Sequence, residues 1–458
     1  MASVMTAMRN SDETQARAAR RDVFVLGLGA TGVSCARHFA ALGRHALFAD
    51  TRAAPPGIAA VRAVMPDAEI IAGELPHRLP EGVRQVIVSP GVDLTLPVLV
   101  DARARGIAIV SDVDLFMAAR RAPVIGITGS NGKSTVTSMV GAMFAAAGKR
   151  AGVGGNLGVP ALDLLDPHAE AYVLELSSFQ LERSAHLELA AAVLLNVAAD
   201  HLDKHGTMEA YTAAKARIYA RAGIAVVNRD EPALVALARS SQPAVSFGLD
   251  QPGPGQFGVR GAGARAVLVR GDDAILPVSE LATTGRHNVS NALAATALAT
   301  SLGLDLDACA SALRSFRGLP HRMQTVATRN GVTWIDDSKA TNVAAAVTAV
   351  RGTDGPLILI GGGDGKGQSF GELAHALRER GATAILLGRD REQMARELGT
   401  AITVELVTTL ADAVRRARAL AAPGTTVLLA PACSSLDMFQ SYEQRGRVFA
   451  AAVLEGSS

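Results

Sequence analysis

The stretch GITGSNGKSTVTSM, Gly126 to Met139, decides how the rest of the chain is read. An apolar run, VIGIT, leads into it, and STVTSMVGAMFAAAG continues with helical periodicity as far as Gly148. A strand, a glycine loop and a helix in that order form a phosphate-binding loop, whose N–H groups and helix N-terminus cradle an anion. In that reading Lys133 reaches the terminal phosphates and the Ser134 hydroxyl faces Mg²⁺. The spacing departs from G-x-x-x-x-G-K-[ST], because Ile127 stands where the first glycine falls and the glycines are Gly126, Gly129 and Gly132. A glycine turn with an incidental lysine is the weaker alternative, given the flanks.

Downstream, the apolar strand in AYVLELSS ends in Glu175, where nucleotide-hydrolysing folds place a carboxylate for the metal. NVAADHLDKHGTMEAYTAAKARIY then brings Asp200, His201, Asp203 and His205 close together and sets Lys215 one helical turn after Tyr211. Two histidines at i, i+4 alone would read as surface residues. Near a phosphate loop and a strand-end acid, the cluster predicts a second hard-metal or substrate site.

Two further glycine loops flank this region. GLGATG, Gly27 to Gly32, fits G-x-G-x-x-G, with Asp50 about 20 residues on; taken alone, it predicts an NAD-dependent dehydrogenase. GGGDGKG, Gly361 to Gly367, fails the same pattern because Lys366 replaces the last glycine, and it reads as a turn presenting that lysine.

Strand-like runs alternate with helical patterns in three blocks, which predicts an α/β fold with three parallel-rich sheets. The expected layout is a mobile tail over 1–20, a Rossmann-like domain over 21–111, a central P-loop domain over 112–317 and a C-terminal Rossmann-like domain over 318–458. Gly318-Leu319-Pro320 is a candidate hinge, and QPGPGQFGVRGAGAR predicts hairpin turns rather than helix. With 458 residues, 49% apolar, 19% charged and 45 glycines, the chain suits a soluble globular protein with tight turns. A net charge of +2 implies no bulk attraction to nucleic acid or membrane. No apolar run is long enough for a membrane span or a signal peptide, and Cys35, Cys309 and Cys433 lack disulfide or metal spacing. The expectation is a cytoplasmic protein, and nothing in the sequence calls for more than a monomer.

TGSNGKST, GGNLG, LELSSFQL, NVAADHLDKH, AAKARIY, GRHNVSNALAA, GLPHRM, DDSKATN, GGGDGKG and PACSSLDMF together resemble the Mur ligase family, over essentially the whole chain after the tail. TGSNGKS alone indicates the wider family, folylpolyglutamate synthases included. DSKATN, GDGKG and PACSSLD favour the branch that adds D-glutamate. The resemblance implies a reaction in which ATP phosphorylates the carboxylate of UDP-MurNAc-L-Ala and the amine of D-glutamate attacks the acyl phosphate. A sibling ligase with another amino acid or a folate acceptor is the alternative.

The resemblance also implies site residues. Gly129, Ser130, Asn131, Gly132, Lys133, Ser134 and Thr135 would hold ATP, with Asn288 and Asn291 near the base and Arg322 and Asp337 on its phosphates and ribose. Ser134 and Glu175 match a first Mg²⁺ site. Asn156 and His201 match positions touching the UDP substrate or a second metal, and Lys215 matches a lysine that takes up CO₂ as a carbamate. GLGATG would hold the UDP diphosphate through Ala30 and Thr31, with Asp50, Thr51, Arg52, Ser89 and Gly91 completing the pocket. Lys339, Thr341, Lys366, Ser435 and Tyr442 match positions around D-glutamate. Ala30 replaces a larger aliphatic residue and Tyr442 a phenylalanine of the familiar pattern.

Overall fold

Three α/β sheets follow one another along the chain, and each turns the carboxyl ends of its parallel strands toward loops the sequence had singled out. The computed structural model describes residues 22–156, 158–238, 243–283 and 285–455, so the tail expected over 1–20 lies outside the described residues. The first sheet runs Glu69–Ala72, Leu47–Asp50, Val23–Leu26, Gln85–Val88, Ala108–Val110, every pair parallel. VFVL and LFAD are buried throughout, as apolar runs covered on both faces must be.

The second sheet has nine strands. VIGIT forms its strand Val124–Thr128, flanked in parallel by Ala171–Glu175 and Leu189–Leu194. Gly126 belongs to this strand and not to the phosphate loop, which corrects its place in the motif. A Cβ there would meet Leu189 Cδ1 at 2.5 Å, so the glycine serves sheet-to-neighbour packing. The glycine-rich region forms the expected hairpin: Phe257–Arg260 and Val267–Arg270 pair antiparallel. Ala151–Gly155, AGVGG, is also a strand, which its glycines concealed.

The third sheet has six strands. Val332–Asp336 and Leu357–Gly362 lie in parallel on either side of Thr426–Leu429, while Gln324–Arg329 joins one edge antiparallel. Among the described residues no helix is long and apolar enough to cross a membrane.

Candidate active site

The phosphate loop is held by the strand end beside it. Ser130 N donates to Asn196 O at 2.9 Å, and Asn131 N donates to Asn196 Oδ1 at 2.8 Å. Ser130 Oγ donates to Ala198 O at 3.0 Å and accepts from Ala198 N at 2.9 Å. Gly132 then turns the chain into the helix Lys133–Ala146 at φ 82°, and a Cβ there would meet Asn291 Oδ1 at 2.6 Å.

Two lysines meet at one carbonyl. Lys133 Nζ donates to Gly129 O at 2.8 Å and Ser130 O at 2.9 Å, and Lys215 Nζ donates to Gly129 O at 2.9 Å. Lys215 is 2% exposed, and its Nζ sits 4.5 Å over the Tyr211 ring. Burial, reinforced by Lys133, pulls its pKa down to about 6. Glu175 faces this pair from the end of its strand. Burial opposes its ionisation, but Lys133, the nearby Ser134 hydroxyl and the Asn156 amide outweigh burial and hold it below the ordinary range. Asn156 Nδ2 donates to Glu175 Oε1 at 2.6 Å, while the buried Glu175 Oε2 has no hydrogen-bond partner among the described residues. A buried carboxylate oxygen without a partner beside the Ser134 hydroxyl is a fit for a hard divalent cation.

The histidine and aspartate cluster divides, with Asp200 and His201 lining a cavity that His205 and Asp203 do not reach. His205 Nε2 lies 3.0 Å from Ser178 Oγ, its Nδ1 lies 3.4 Å from Glu182, and its ring stacks on Phe179. Asp203 is exposed, and Asp200 is bound to Lys366 Nζ at 3.0 Å. The four side chains do not converge, and among the described residues no group of three or more His, Cys, Asp or Glu side chains is arranged to hold a metal. His201 alone of the two histidines opens on the cavity, with burial lowering its pKa.

The third sheet supplies the other wall. Arg322 Nη2 donates to Ser134 Oγ at 2.7 Å, Lys366 reaches Asp200, and Asn342 Nδ2 lies 3.3 Å from Asn131 Oδ1. A cavity of about 270 Å³ lies between the units, lined by Lys133, Ser134, Glu175 and Lys215 from one side and Arg322, Lys339 and Thr341 from the other. Gly91, Asn156 and His201 also line it. A neighbouring cavity of about 320 Å³ is lined by Asn131, Thr135, Asn288, Asn291, Arg322, Asp337 and Lys339. Burial pushes Asp337 up to about 7 and Lys339 down to about 8.

Some residues named from the sequence stand apart. Lys339 Nζ lies 4.2 Å over the Tyr442 ring, so Tyr442 keeps an aromatic wall, but Tyr442 and the buried Ser435 line neither cavity. Ala30, Thr31, Asp50, Thr51, Arg52 and Ser89 gather at the first glycine loop. There Asp50 Oδ2 accepts from Leu28 N at 2.7 Å, its carboxylate pairs with Arg52, and Ser89 Oγ donates to Gly27 O at 3.2 Å. Sequence reasoning missed the loop-bracing Asn196 and the bridging Asn342, although both lie inside the quoted motifs NVAADHLDKH and DDSKATN.

A phosphate loop sharing a cavity with a strand-end glutamate, a buried second lysine and cations from another sheet defines a nucleotide-dependent group-transfer enzyme of three α/β units. Comparison narrows this. Residues 21–111, 127–299 and 321–433 match the family models described as Mur ligase MurD-like N-terminal domain, Mur ligase middle domain, and Mur ligase, glutamate ligase domain. The chain is 48% identical over 435 residues to the UDP-N-acetylmuramoylalanine--D-glutamate ligase of Pseudomonas aeruginosa, covering 94% of this chain and 97% of that one. It is 45% identical over 434 residues to the protein of the same name from Methylococcus capsulatus, with 95% of each covered. Among solved structures, the UDP-N-acetylmuramate-alanine ligase of Thermotoga maritima shares the fold at TM-score 0.62 and 20% identity, covering 95% of this chain and 100% of that one. A pseudomurein peptide ligase type C from Methanothermus fervidus does so at TM-score 0.63 and 18% identity, covering 96% and 100%. The chain belongs to the Mur ligase family, ATP-dependent ligases that form carbon–nitrogen bonds.

Proposed function

We propose that this chain joins D-glutamate to UDP-N-acetylmuramoyl-L-alanine through an acyl phosphate, in the cytoplasmic synthesis of peptidoglycan precursors. The observation that carries the reading is the meeting of Lys133, Arg322 and Lys339 around one cavity with Glu175. A triphosphate and a carboxylate repel each other, and converging cations are what such a pair needs to approach. The choice of D-glutamate is supported by relatives 43–48% identical that carry that name.

In this reading the alanyl carboxylate oxygen attacks the γ-phosphorus of ATP and ADP leaves. The D-glutamate amine then attacks the acyl carbon, the C–O bond to phosphate breaks, the nitrogen gives up a proton, and an amide and inorganic phosphate result. No protein nucleophile is required; the residues align the reactants and neutralise charge. Lys133 and the loop from Gly129 to Thr135 take the phosphates, Asn288 and Asn291 face the base, and Arg322 and Asp337 meet the phosphates and ribose. Ser134 and Glu175 would hold Mg²⁺, which supplies charge neutralisation at the phosphoryl oxygens. Lys215 is the candidate for carbamylation: burial keeps its amine neutral near pH 7, the form that adds to CO₂, and the product is an anionic oxygen ligand. With His201 and Asn156 it would serve a second metal or the UDP substrate. The unit 21–111 takes the UDP group through Ala30, Thr31, Asp50, Thr51, Arg52, Ser89 and Gly91. Lys339, Thr341, Lys366, Ser435 and Tyr442 receive the dicarboxylate.

The test is ADP release with UDP-MurNAc-L-Ala and one amino acid at a time. D-glutamate is expected to stimulate it. Stimulation by L-alanine, diaminopimelate or L-glutamate in its place would move the chain to a sibling specificity. Carboxyl-labelled ¹⁸O appearing in the released phosphate reports the acyl phosphate.

A further inference from the structure

Arg445 lies on the helix Tyr442–Glu455, is 2% exposed, and forms no ion pair with a carboxylate among the described residues. Burying a guanidinium is costly unless its donors are satisfied, and burial pulls the pKa of this one down to about 10. Its hydrogen bonds end on two loops. Nε donates to Ser338 Oγ at 3.0 Å and Nη2 to Ser338 O at 2.9 Å. Nη1 and Nη2 each donate to Cys433 O at 3.2 Å. Ser338 Oγ in turn donates to Tyr442 O at 2.9 Å, so the first residue of the helix is tied into the same knot.

The two loops leave neighbouring parallel strands. Val332–Asp336 and Thr426–Leu429 are in register up to Asp336 opposite Leu429, and beyond that pair the ladder between them ends. Past it, one loop carries Ser338, Lys339 and Thr341, and the other carries Cys433 and Ser435. One direct backbone bond, Ala432 N to Ala340 O at 2.9 Å, and the Arg445 fork hold them together. Four of the five proposed D-glutamate contacts adjoin this knot: Lys339 and Thr341 sit one and three residues from Ser338, Ser435 sits two residues from Cys433, and Tyr442 supplies the carbonyl that Ser338 binds.

We propose that Arg445 is a positioning residue for D-glutamate: its planar fork sets the spacing between the Lys339 loop and the Ser435 loop, and so the distance the dicarboxylate must span. This rests on the ligase reading above. Arginine suits the task because its donors are rigidly spaced and reach both loops together; a lysine keeps the charge on one flexible point and cannot span them.

The experiment is ADP release by the full chain at saturating ATP and UDP-MurNAc-L-Ala, with D-glutamate varied, for wild type, Arg445→Lys and Ser338→Ala. Arg445→Lys is expected to raise the D-glutamate KM about 10-fold or more, with kcat and the other two KM values within about 3-fold. Ser338→Ala, which removes the two hydroxyl links of the knot and leaves the Arg445 bonds to the backbone carbonyls, is expected to raise the same KM roughly 3-fold. A thermal melt on each variant reports folding, and if Arg445→Lys does not fold, Ser338→Ala decides. An unchanged D-glutamate KM, or full rescue by lysine, overturns the inference. If wild type turns over with D-glutamate while the variants keep its KM, this inference alone fails. If wild type ignores D-glutamate, the ligase reading fails and takes this inference with it.

Discussion

Gly27–Gly32 and Gly129–Thr135 both follow a buried parallel strand and lead into a helix, yet the charges that meet them differ. At the first loop the neighbouring strand ends in Asp50, whose carboxylate accepts from Leu28 N and is neutralised by Arg52. At the second, Lys133 and Lys215 converge on Gly129 O and the neighbouring strand ends in Glu175. The glycines give both loops the shape that lets backbone N–H groups face an anion. What arrives from adjacent elements decides the rest. In the proposed function, a balanced pair suits the loop that holds the UDP diphosphate, and the positive charge of Lys133 and Arg322 suits the loop where phosphate is transferred.

The sharpest way to break this contrast is to remove the transfer-site charge. Lys133→Ala is expected to lower ADP release on the order of 10³-fold, and near-normal kcat would contradict the assignment. Lys215→Ala should lose roughly 10²-fold and shift the Mg²⁺ activation curve to higher concentration; an unchanged curve would remove its metal role. On the other loop the expected losses are structural. A Cβ on Gly32 would meet Gly27 O at 2.1 Å, so Gly32→Ala should weaken UDP-substrate binding and destabilise by about 1–3 kcal/mol, read by denaturant melts.

The smallest effect concerns Asp50. The Arg52 hydrogen bonds, against some burial cost, hold its pKa at about 2 rather than 3.8. A carboxylate lowered in the folded state stabilises above its unfolded value, and that contribution disappears as pH falls from about 4 through about 2. Asp50→Asn should flatten stability over that window by about 1–2 kcal/mol while leaving the ATP KM unchanged. A stability curve with the same slope in both proteins would show that the pair with Arg52 does not hold the loop.

Much of the fold was legible because its signals are local. Apolar runs such as VIGIT and PLILIGGG, and glycine loops before helices, report backbone geometry through neighbouring residues, and they placed the principal strands of all three sheets. Edge strands such as Glu69–Ala72 and Thr403–Leu406 are short, half-exposed and mixed in composition, so no run betrays them. His205 parts from His201 for a related reason: i, i+4 spacing puts two side chains on one face, but Phe179 and Ser178, from another helix, decide where the ring points.

By itself, then, the amino-acid order determined an α/β chain with a phosphate loop, a strand-end acid and a family resemblance strong enough to name candidate residues. Only the tertiary structure decided which of them meet. Lys215 reaches Gly129 across 86 positions, Lys366 reaches Asp200 across 166, and Arg322 reaches Ser134 across 188. Such pairings depend on how whole sheets dock and on how burial shifts each charge, and no spacing within a motif encodes either. The Arg445 knot belongs to the same class: its residues are unremarkable in the sequence until two strand ends and a helix place them within hydrogen-bond reach.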